Sequence, residues 1–383
     1  MKKIRITLFC LCGAIASMIL PSVSLRATAA ETPVLSCKAA YCMDAESGTS
    51  VYGREEKKHL PIASMCKIMT LILTFDAIDG GKMGYDTPVP VSQHAMSMGG
   101  SQVYLEAGEK YTAEKLIESV IVCSANDSCV ALAEYVAGSD TAFTEKMNKK
   151  AKELGCNDTL FANCTGLPKE PQYSCAYDVA QMFRELIGHE KFFEFSTLRT
   201  DNFLHPTGRE TLITNTNKLV RRYEGCDGGK TGFTNQAGFC LAATAKRGET
   251  RVISVCIGSS TGEERFQTVS NLFDYAFGNY ESKEILSERA LSQKLPVSGG
   301  KQKEAEVMPQ KAVKYFAPVD STADVKAEIR FYSVKAPVEK GQVVGEIIFF
   351  KDGVEYSRVR LLSNETVEKA TYGDYLREIA DKW

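Results

Sequence analysis

The sequence predicts an α+β fold: one antiparallel sheet flanked by helices, with an all-helical subregion, followed by a small all-β domain. Three observations carry this. Helix-spaced apolar residues concentrate between residues 64 and 154, and β-rich runs lie at both ends of the first 280 residues. Beyond Glu284 the pattern changes to short β-rich runs separated by turn residues.

In chain order, residues 1–29 read as an export signal. MKKIR is basic, ITLFCLCGAIASMIL is an apolar run of about 15 residues, and Pro21 ends it. Ala27-Thr28-Ala29 is the small-residue pattern a signal peptidase reads, so cleavage is expected after Ala29. The competing readings are an uncleaved anchor, for which the apolar run is short, and a lipoprotein signal through Val34-Leu35-Ser36-Cys37. The latter lies too far past the apolar run, with Glu31 between. AAYCMDAESGTSVYG (39–53) predicts two short strands around a Ser-Gly turn. A helix is expected from Ser64 to Gly80-Gly81, and Thr112 and Ser139 are placed to cap two more. Residues 156–175 read as an irregular loop; FCLAATAKRGETRVISVCIG predicts a hairpin and FQTVSNLFDYAF a closing helix. The polar VSGGKQKEAEVMPQK reads as a boundary zone or loop. After it, KAEIRFYSV, GQVVGEIIFF and VEYSRVRLL predict strands, the last two joined at Asp352-Gly353. TYGDYLREIADKW predicts a short helix with Tyr375, Leu376 and Ile379 on one side. The expected division is therefore 1–29, 30–280, 281–370 and a tail at 371–383.

The 383 residues are 44% hydrophobic and 25% charged, with a net charge of −2. Such a balance supplies no basic field for nucleic acid. Of thirteen cysteines, Cys10 and Cys12 fall in the export signal, leaving an odd eleven. Many sit in apolar stretches (Cys66, Cys123, Cys129, Cys240, Cys256), which favours free, buried thiols. Zinc is not expected. Cys37/Cys42 and Cys123/Cys129 have no matching second pair, and His59, His94, His189 and His205 are scattered.

Three short motifs carry chemistry. In PIASMCKIMT, Lys67 stands three residues after Ser64 among apolar neighbours, on one helix face with it. A lysine so placed is desolvated, its pKa falls, and the neutral amine can take the serine proton. Taken alone, S-x-x-K is so short that a surface serine cap followed by a snorkelling lysine is the better reading. Ser124-Ala125-Asn126 breaks two apolar helices, where Asn126 can hold an amide and Ser124 relay a proton. Its plain alternative is a helix cap. Lys230-Thr231-Gly232 precedes the hairpin, where Lys230 and Thr231 can bind a carboxylate and Gly232 admits a ligand backbone. A phosphate loop is excluded because Glu224 stands where it needs glycine. Gly258-Ser259-Ser260-Thr261-Gly262 mimics a nucleophile elbow, but no histidine follows it.

In this order the trio is far more specific than any member, and matches that of penicillin-binding proteins and class A β-lactamases. PIASMCKIMT, SANDSCVALAEYVAG, FANCTGLP, DGGKTGFTNQAGFCLAATAKRG and ERFQTVSNLFDYAF resemble the serine D-alanyl-D-alanine carboxypeptidases, over about residues 34 to 280. The resemblance implies a β-lactamase/transpeptidase-like fold and an exported enzyme that trims the terminal D-alanine from peptidoglycan stem pentapeptides. β-Lactams would inhibit it, and no metal or cofactor is required. Ser64 would be the nucleophile, Lys67 its base and Ser124 the proton relay. Asn126 would hold the peptide amide, and Lys230 and Thr231 would lie near the terminal carboxylate. Backbone N–H groups of Ser64 and Phe233 would form the oxyanion hole. Arg265 matches an arginine that can face the carboxylate, or is a surface residue of the last helix. Departures from the family pattern are Ala125, Cys66, Gly229 and Tyr173-Ser174-Cys175; Asp178 is expected to cap its helix. The same trio also serves β-lactamases, D,D-endopeptidases and transpeptidases, or a non-catalytic wall-binding scaffold. Peripheral membrane contact through the tail is a further expectation.

Overall fold

A computed structural model describes residues 32–289, 291, 294–321, 325–351 and 353–381. The expected export signal, its cleavage after Ala29 and Asp352 lie outside the described residues. The chain divides into two compact units that meet at Tyr280/Glu281.

The first unit begins with β1 (Ala39–Asp44) and β2 (Ser50–Arg54), then a 3₁₀ turn (Ala63–Cys66) that runs into α1 (Lys67–Asp79). There follow β3 (Pro88–Pro90), α2 (Gln93–Met96), β4 (Lys110–Thr112), α3 (Ala113–Val122), α4 (Asn126–Ala137) and α5 (Asp140–Glu153). After a long loop come α6 (Ala176–Leu186), α7 (Lys191–Ser196), the hairpin β5 (Thr200–Leu204)/β6 (Glu210–Thr214) and α8 (Leu219–Arg222). The unit closes with β7 (Cys226–Thr234), β8 (Gly238–Arg247), β9 (Thr250–Ser259) and α9 (Gly262–Asn279).

The main sheet is antiparallel, ordered β2-β1-β9-β8-β7, so the N-terminal hairpin joins the C-terminal strands and β7 is an edge. Both its faces are covered. Tyr41 stacks edge-on against Tyr177 of α6, while its neighbour Cys42 reaches Leu272 of α9. Successive strand residues point to opposite faces, so α6 and α9 lie on opposite sides. That explains why all six residues of β1 are buried rather than alternating. α1 is buried nearly all round and packs with α3, α4, α5 and α6, the helical half of the unit. Thr112 and Ser139 cap α3 and α5 through their side-chain oxygens, as their positions in the sequence predict.

Two local expectations change. Ser64 does not begin an α-helix; it sits in the 3₁₀ turn, and Lys67 is the first α-helical residue. Asp178 is not the cap of α6. Cys175 is, its thiol accepting the Asp178 N–H, and Asp178 turns inward, fully buried.

The second unit holds β10 (Tyr280–Leu286), β11 (Lys294–Ser298), β12 (Glu304–Pro309), β13 (Val313–Pro318), β14 (Val325–Phe331), β15 (Val334–Lys335), β16 (Val343–Lys351), β17 (Val354–Ser363) and α10 (Tyr372–Ala380). Six strands form one sheet, ordered β14-β16-β17-β12-β11-β15, and β10 pairs with β13. The stretch read as a boundary loop thus contributes the end of β11 and all of β12. Leu295, Val297, Ala305 and Val307 point inward at period two between exposed polar residues. In α10, Tyr372, Tyr375, Leu376 and Ile379 are exposed. No helix among the described residues is long and apolar enough to cross a membrane.

Candidate active site

The 3₁₀ turn holds Ser64 half-buried, between Ala63 at a φ of 46° and Met65. One turn on, Lys67 is fully buried, with Nζ 3.0 Å from Ser64 Oγ and 2.8 Å from the Thr165 carbonyl. This is no snorkelling side chain. Burial lowers the Lys67 pKa from its ordinary value, the dominant cause being loss of hydration.

The Thr165 carbonyl is held by the NCTG stretch. Asn163 Oδ1 accepts from the N–H groups of Thr165 (3.1 Å) and Gly166 (2.8 Å), an Asx-type turn. Thr70 and Cys66 of the helical segment donate to the carbonyls of Cys164 and Asn163. Gly166 has a φ of 81°, and a Cβ there would meet the Ala63 carbonyl oxygen at 2.0 Å. Gly166→Ala is therefore expected to destabilise the protein by about 2–5 kcal/mol, from left-handed strain plus overpacking. Urea unfolding measures it; an unchanged midpoint would show that the two backbones are not in register.

The other two motifs come from opposite sides of the unit. Ser124, at a φ of 66°, occupies the break between α3 and α4, and its Oγ accepts from Lys230 Nζ at 2.7 Å. Neither Ser124 nor Asn126 is a helix cap: α4 is capped by Ala125 with no side-chain bond. Asn126 donates from Nδ2 to the Gly99 carbonyl at 2.6 Å, while its Oδ1 is buried and accepts nothing. A buried amide oxygen without a donor costs about 1–3 kcal/mol, which suits a group that awaits a ligand N–H.

Lys230 lies on the edge strand β7 and also donates to the Thr231 carbonyl at 3.0 Å. Burial pushes its pKa well below the usual value, and the nearby Lys67 pushes it further, so the two amines share one region. Thr231 Oγ1 donates to Thr216 Oγ1 at 2.8 Å. Gly232 works differently from its sequence reading. A Cβ on it would meet the Ile62 carbonyl at 2.7 Å and the Ser64 nitrogen at 3.1 Å. What approaches it closely is the chain's own Ser64 turn, which brings β7 against the amide of Ser64. The Phe233 ring is 50% exposed and stacks on Phe239. Arg265 is half-buried behind the strand, Nη1 donating to the carbonyls of Gly232 (3.3 Å) and Cys240 (3.4 Å).

Sequence reasoning missed the groups that hold this arrangement. The Thr165 carbonyl is one. Asp127 is another: fully buried, it accepts the N–H groups of Val103 and Leu105 and so fixes Tyr104 at a φ of 64°. Thr216 is a third. All eleven described cysteines are free, and nine of them are buried.

A mixed helix-and-sheet unit followed along the chain by a small β-rich unit is the architecture of the penicillin-binding proteins. Residues 26–261 match the family profile described as D-alanyl-D-alanine carboxypeptidase, and residues 280–369 that of the penicillin-binding protein 5 C-terminal domain. The chain belongs to the serine D-alanyl-D-alanine carboxypeptidases, the low-molecular-mass penicillin-binding proteins. It is 38% identical to the D-alanyl-D-alanine carboxypeptidase DacF of Bacillus subtilis, over 90% of each chain. Among solved structures it resembles PBP3 of Streptococcus pneumoniae, with a TM-score of 0.75, 26% identity and coverage of 88% of this chain and 100% of that one. It also resembles ampicillin-bound penicillin-binding protein D2 of Listeria monocytogenes, with a TM-score of 0.57 and 30% identity over 63% of this chain and 98% of that one.

Proposed function

We propose that this protein is an exported carboxypeptidase that removes the terminal D-alanine of peptidoglycan stem pentapeptides through an acyl-enzyme on Ser64, and that penicillins acylate the same serine. The observation that carries this is a fully buried lysine amine 3.0 Å from a serine hydroxyl. Neutral Lys67 takes the Ser64 proton while Oγ attacks the carbonyl of the D-Ala-D-Ala bond. Negative charge on that oxygen is met by the N–H groups of Ser64 and Phe233. The C–N bond breaks, and the departing amine takes its proton through Ser124. Water then hydrolyses the ester, with Lys67 again as base. Asn126 receives the peptide amide; Lys230 and Thr231, with Gly232 giving the strand its close approach, hold the carboxylate. The contacts of Lys67 and Ser124 support the roles proposed for them, whereas Arg265 would act on the carboxylate through the backbone of Gly232, to which it donates. The unit at 30–280 does this chemistry after residues 1–29 are removed, the β-rich unit at 281–370 follows it, and the apolar side of the tail at 371–383 touches the membrane surface. β-Lactams and stem peptides are the partners; nucleic acid is not.

The test is to incubate purified protein with labelled penicillin and, separately, with a pentapeptide ending in D-Ala-D-Ala. A serine adduct and released D-alanine are expected, and their joint absence from a folded sample would sink the proposal. An adduct that clears within seconds would favour a β-lactamase; one lasting minutes or longer favours the carboxypeptidase.

The electrostatics add a prediction. In the free enzyme burial and Lys67 hold the Lys230 pKa well below the usual lysine range. An arriving carboxylate favours the ammonium, raises that pKa and draws in a proton. Peptide binding should therefore be accompanied by net proton uptake at a pH where Lys230 is partly deprotonated in the free enzyme. Calorimetry in buffers of different ionisation enthalpy reads this directly, and net proton release would contradict it.

A further inference from the structure

On one side of the first unit, away from the three motifs in sequence, three metal-ligating side chains come together from two segments, and a fourth, on a third segment, adjoins one of them. Asp158, Cys175 and Asp178 each present an atom within 4.8 Å of the others. His59 Nε2 lies 3.0 Å from Asp158 Oδ1, its ring stacked on Tyr173. Tetrahedral zinc bonds of about 2.0–2.3 Å place ligand atoms about 3.3–3.8 Å apart, within reach of small side-chain adjustments here.

An independent feature points to a missing cation. The Asp178 side chain is fully buried, and its Oδ2 accepts from the Asp158 N–H and the Thr159 hydroxyl, both at 2.8 Å. Its Oδ1 is buried and accepts no hydrogen bond. The cation nearest in the ion-pair geometry is Lys57, whose Nζ is 3.9 Å from that oxygen and 3.8 Å from Asp158 Oδ2, too far to hydrogen-bond either. Lys57 is half exposed, and its ammonium sits over the Tyr177 ring, which shares its charge with the two carboxylates. A carboxylate oxygen buried without a donor is costly, and buried charges are paired or bind metals. Cys175 is also an unusual helix cap, a position where serine, threonine or aspartate serves better unless the thiol has a second use.

We propose that His59, Asp158, Cys175 and Asp178 form a site for a thiophilic divalent cation of the zinc class. The mixed N, O and S donor set selects such an ion over magnesium or calcium. Binding exchanges the Cys175 thiol proton, released to solvent, for a sulfur–metal bond. The ion clamps the base of the 156–175 loop, where Leu60 bridges Ser174 and Leu160 bridges Tyr173. That loop carries the Thr165 carbonyl bonded to Lys67, so the site is structural and connects to Lys67 through the loop. The sequence reading against zinc weighed only paired cysteines and scattered histidines, and could not see donors drawn from three segments.

The test titrates Co²⁺, and then Zn²⁺, into the reduced, chelator-stripped full chain. One equivalent of Co²⁺ should give the ultraviolet thiolate-to-cobalt band and the strong visible bands of a tetrahedral centre. Cys175→Ser keeps an oxygen to cap α6; it should lose the thiolate band and weaken Zn²⁺ at least tenfold. Cys156→Ser, which removes the thiol bonded to the Asp178 carbonyl, should keep the band. Lys57→Met should tighten Zn²⁺ by removing a competing charge. A wild-type chain with no thiolate band, a Cys175→Ser chain that binds Zn²⁺ as well as wild type, or weaker binding in Lys57→Met overturns the proposal.

Discussion

Ser64→Ala is expected to abolish the penicillin adduct and lower D-alanine release by about 10⁶-fold, the scale seen when a serine nucleophile is removed. The substitution deletes the atom that forms the ester, and nothing nearby replaces it. Cys66, the adjacent thiol, is fully buried and donates to the Asn163 carbonyl, and burial pushes its pKa far above neutral. Ser259, in the elbow-like run, ends β9 with its hydroxyl against Cys256 and has no histidine partner. Fold should survive: Ser64 is half-buried, and alanine costs Lys67 one hydrogen bond, about 1 kcal/mol, while the Thr165 carbonyl remains. Intact-mass spectrometry after penicillin exposure, with a melting curve on the same sample, decides it. A full-stoichiometry adduct on the alanine variant would place the nucleophile elsewhere.

The sequence exposed side-chain chemistry far better than it exposed the backbone that positions it. Lys67 inside an apolar run is legible because an ammonium there contradicts simple core packing. The strands of FCLAATAKRGETRVISVCIG are legible because β-rich runs flank a polar turn, and they appear as β8 and β9. Sheet order was not, since pairing β1 with β9 joins residues more than two hundred positions apart and leaves no local signal. Nor were β11 and β12. Their inward residues, Leu295, Val297, Ala305 and Val307, are few and partly small, and the outward lysines and glutamates give a loop-like composition. The Thr165 carbonyl and the amides of Ser64 and Phe233 are main-chain groups that any residue type would carry. Gly232 and Gly166 were visible as glycines, but which backbone approaches them depends on the fold: both meet the Ala63–Ser64 turn.

That turn links geometry to chemistry. Ala63 and Ser124, two of the four non-glycine residues with positive φ among the described residues, lie at the Ser64–Lys67 and Ser124–Lys230 contacts. Such conformations cost of order 1–3 kcal/mol each and persist where the surroundings over-determine them. Around Ala63 those surroundings are Gly166 and Gly232; around Ser124 they are Lys230 Nζ and the ends of α3 and α4. The site is held by elements far apart in sequence, so the surroundings that fix Ala63 and Ser124 in these conformations come from outside their own turns.

Lys67→Met should slow acylation of Ser64 by about 10³–10⁴-fold, the upper range for loss of a positioned general base. Methionine keeps much of the volume of the side chain and its fit in the apolar pocket, so the loss is chemical rather than structural. Stability separates the two. Burial lowers the Lys67 pKa in the folded state, while the unfolded chain keeps the ordinary lysine value. Below the folded pKa the wild type carries the full cost of burying a charge. As pH rises from the folded pKa towards the unfolded one, the unfolded chain binds more protons than the native state and stability increases. Methionine has no such dependence. The wild type should therefore gain stability relative to Lys67→Met as pH climbs towards the ordinary lysine pKa, and the variant should compare best at lower pH, offset by the unpaired Thr165 carbonyl. Urea unfolding of both proteins at pH 6 and pH 9 measures that difference, and stopped-flow acylation measures the rate. Acylation at the wild-type rate in a folded Lys67→Met protein would mean that another group takes the serine proton, and the role assigned to Lys67 would fall.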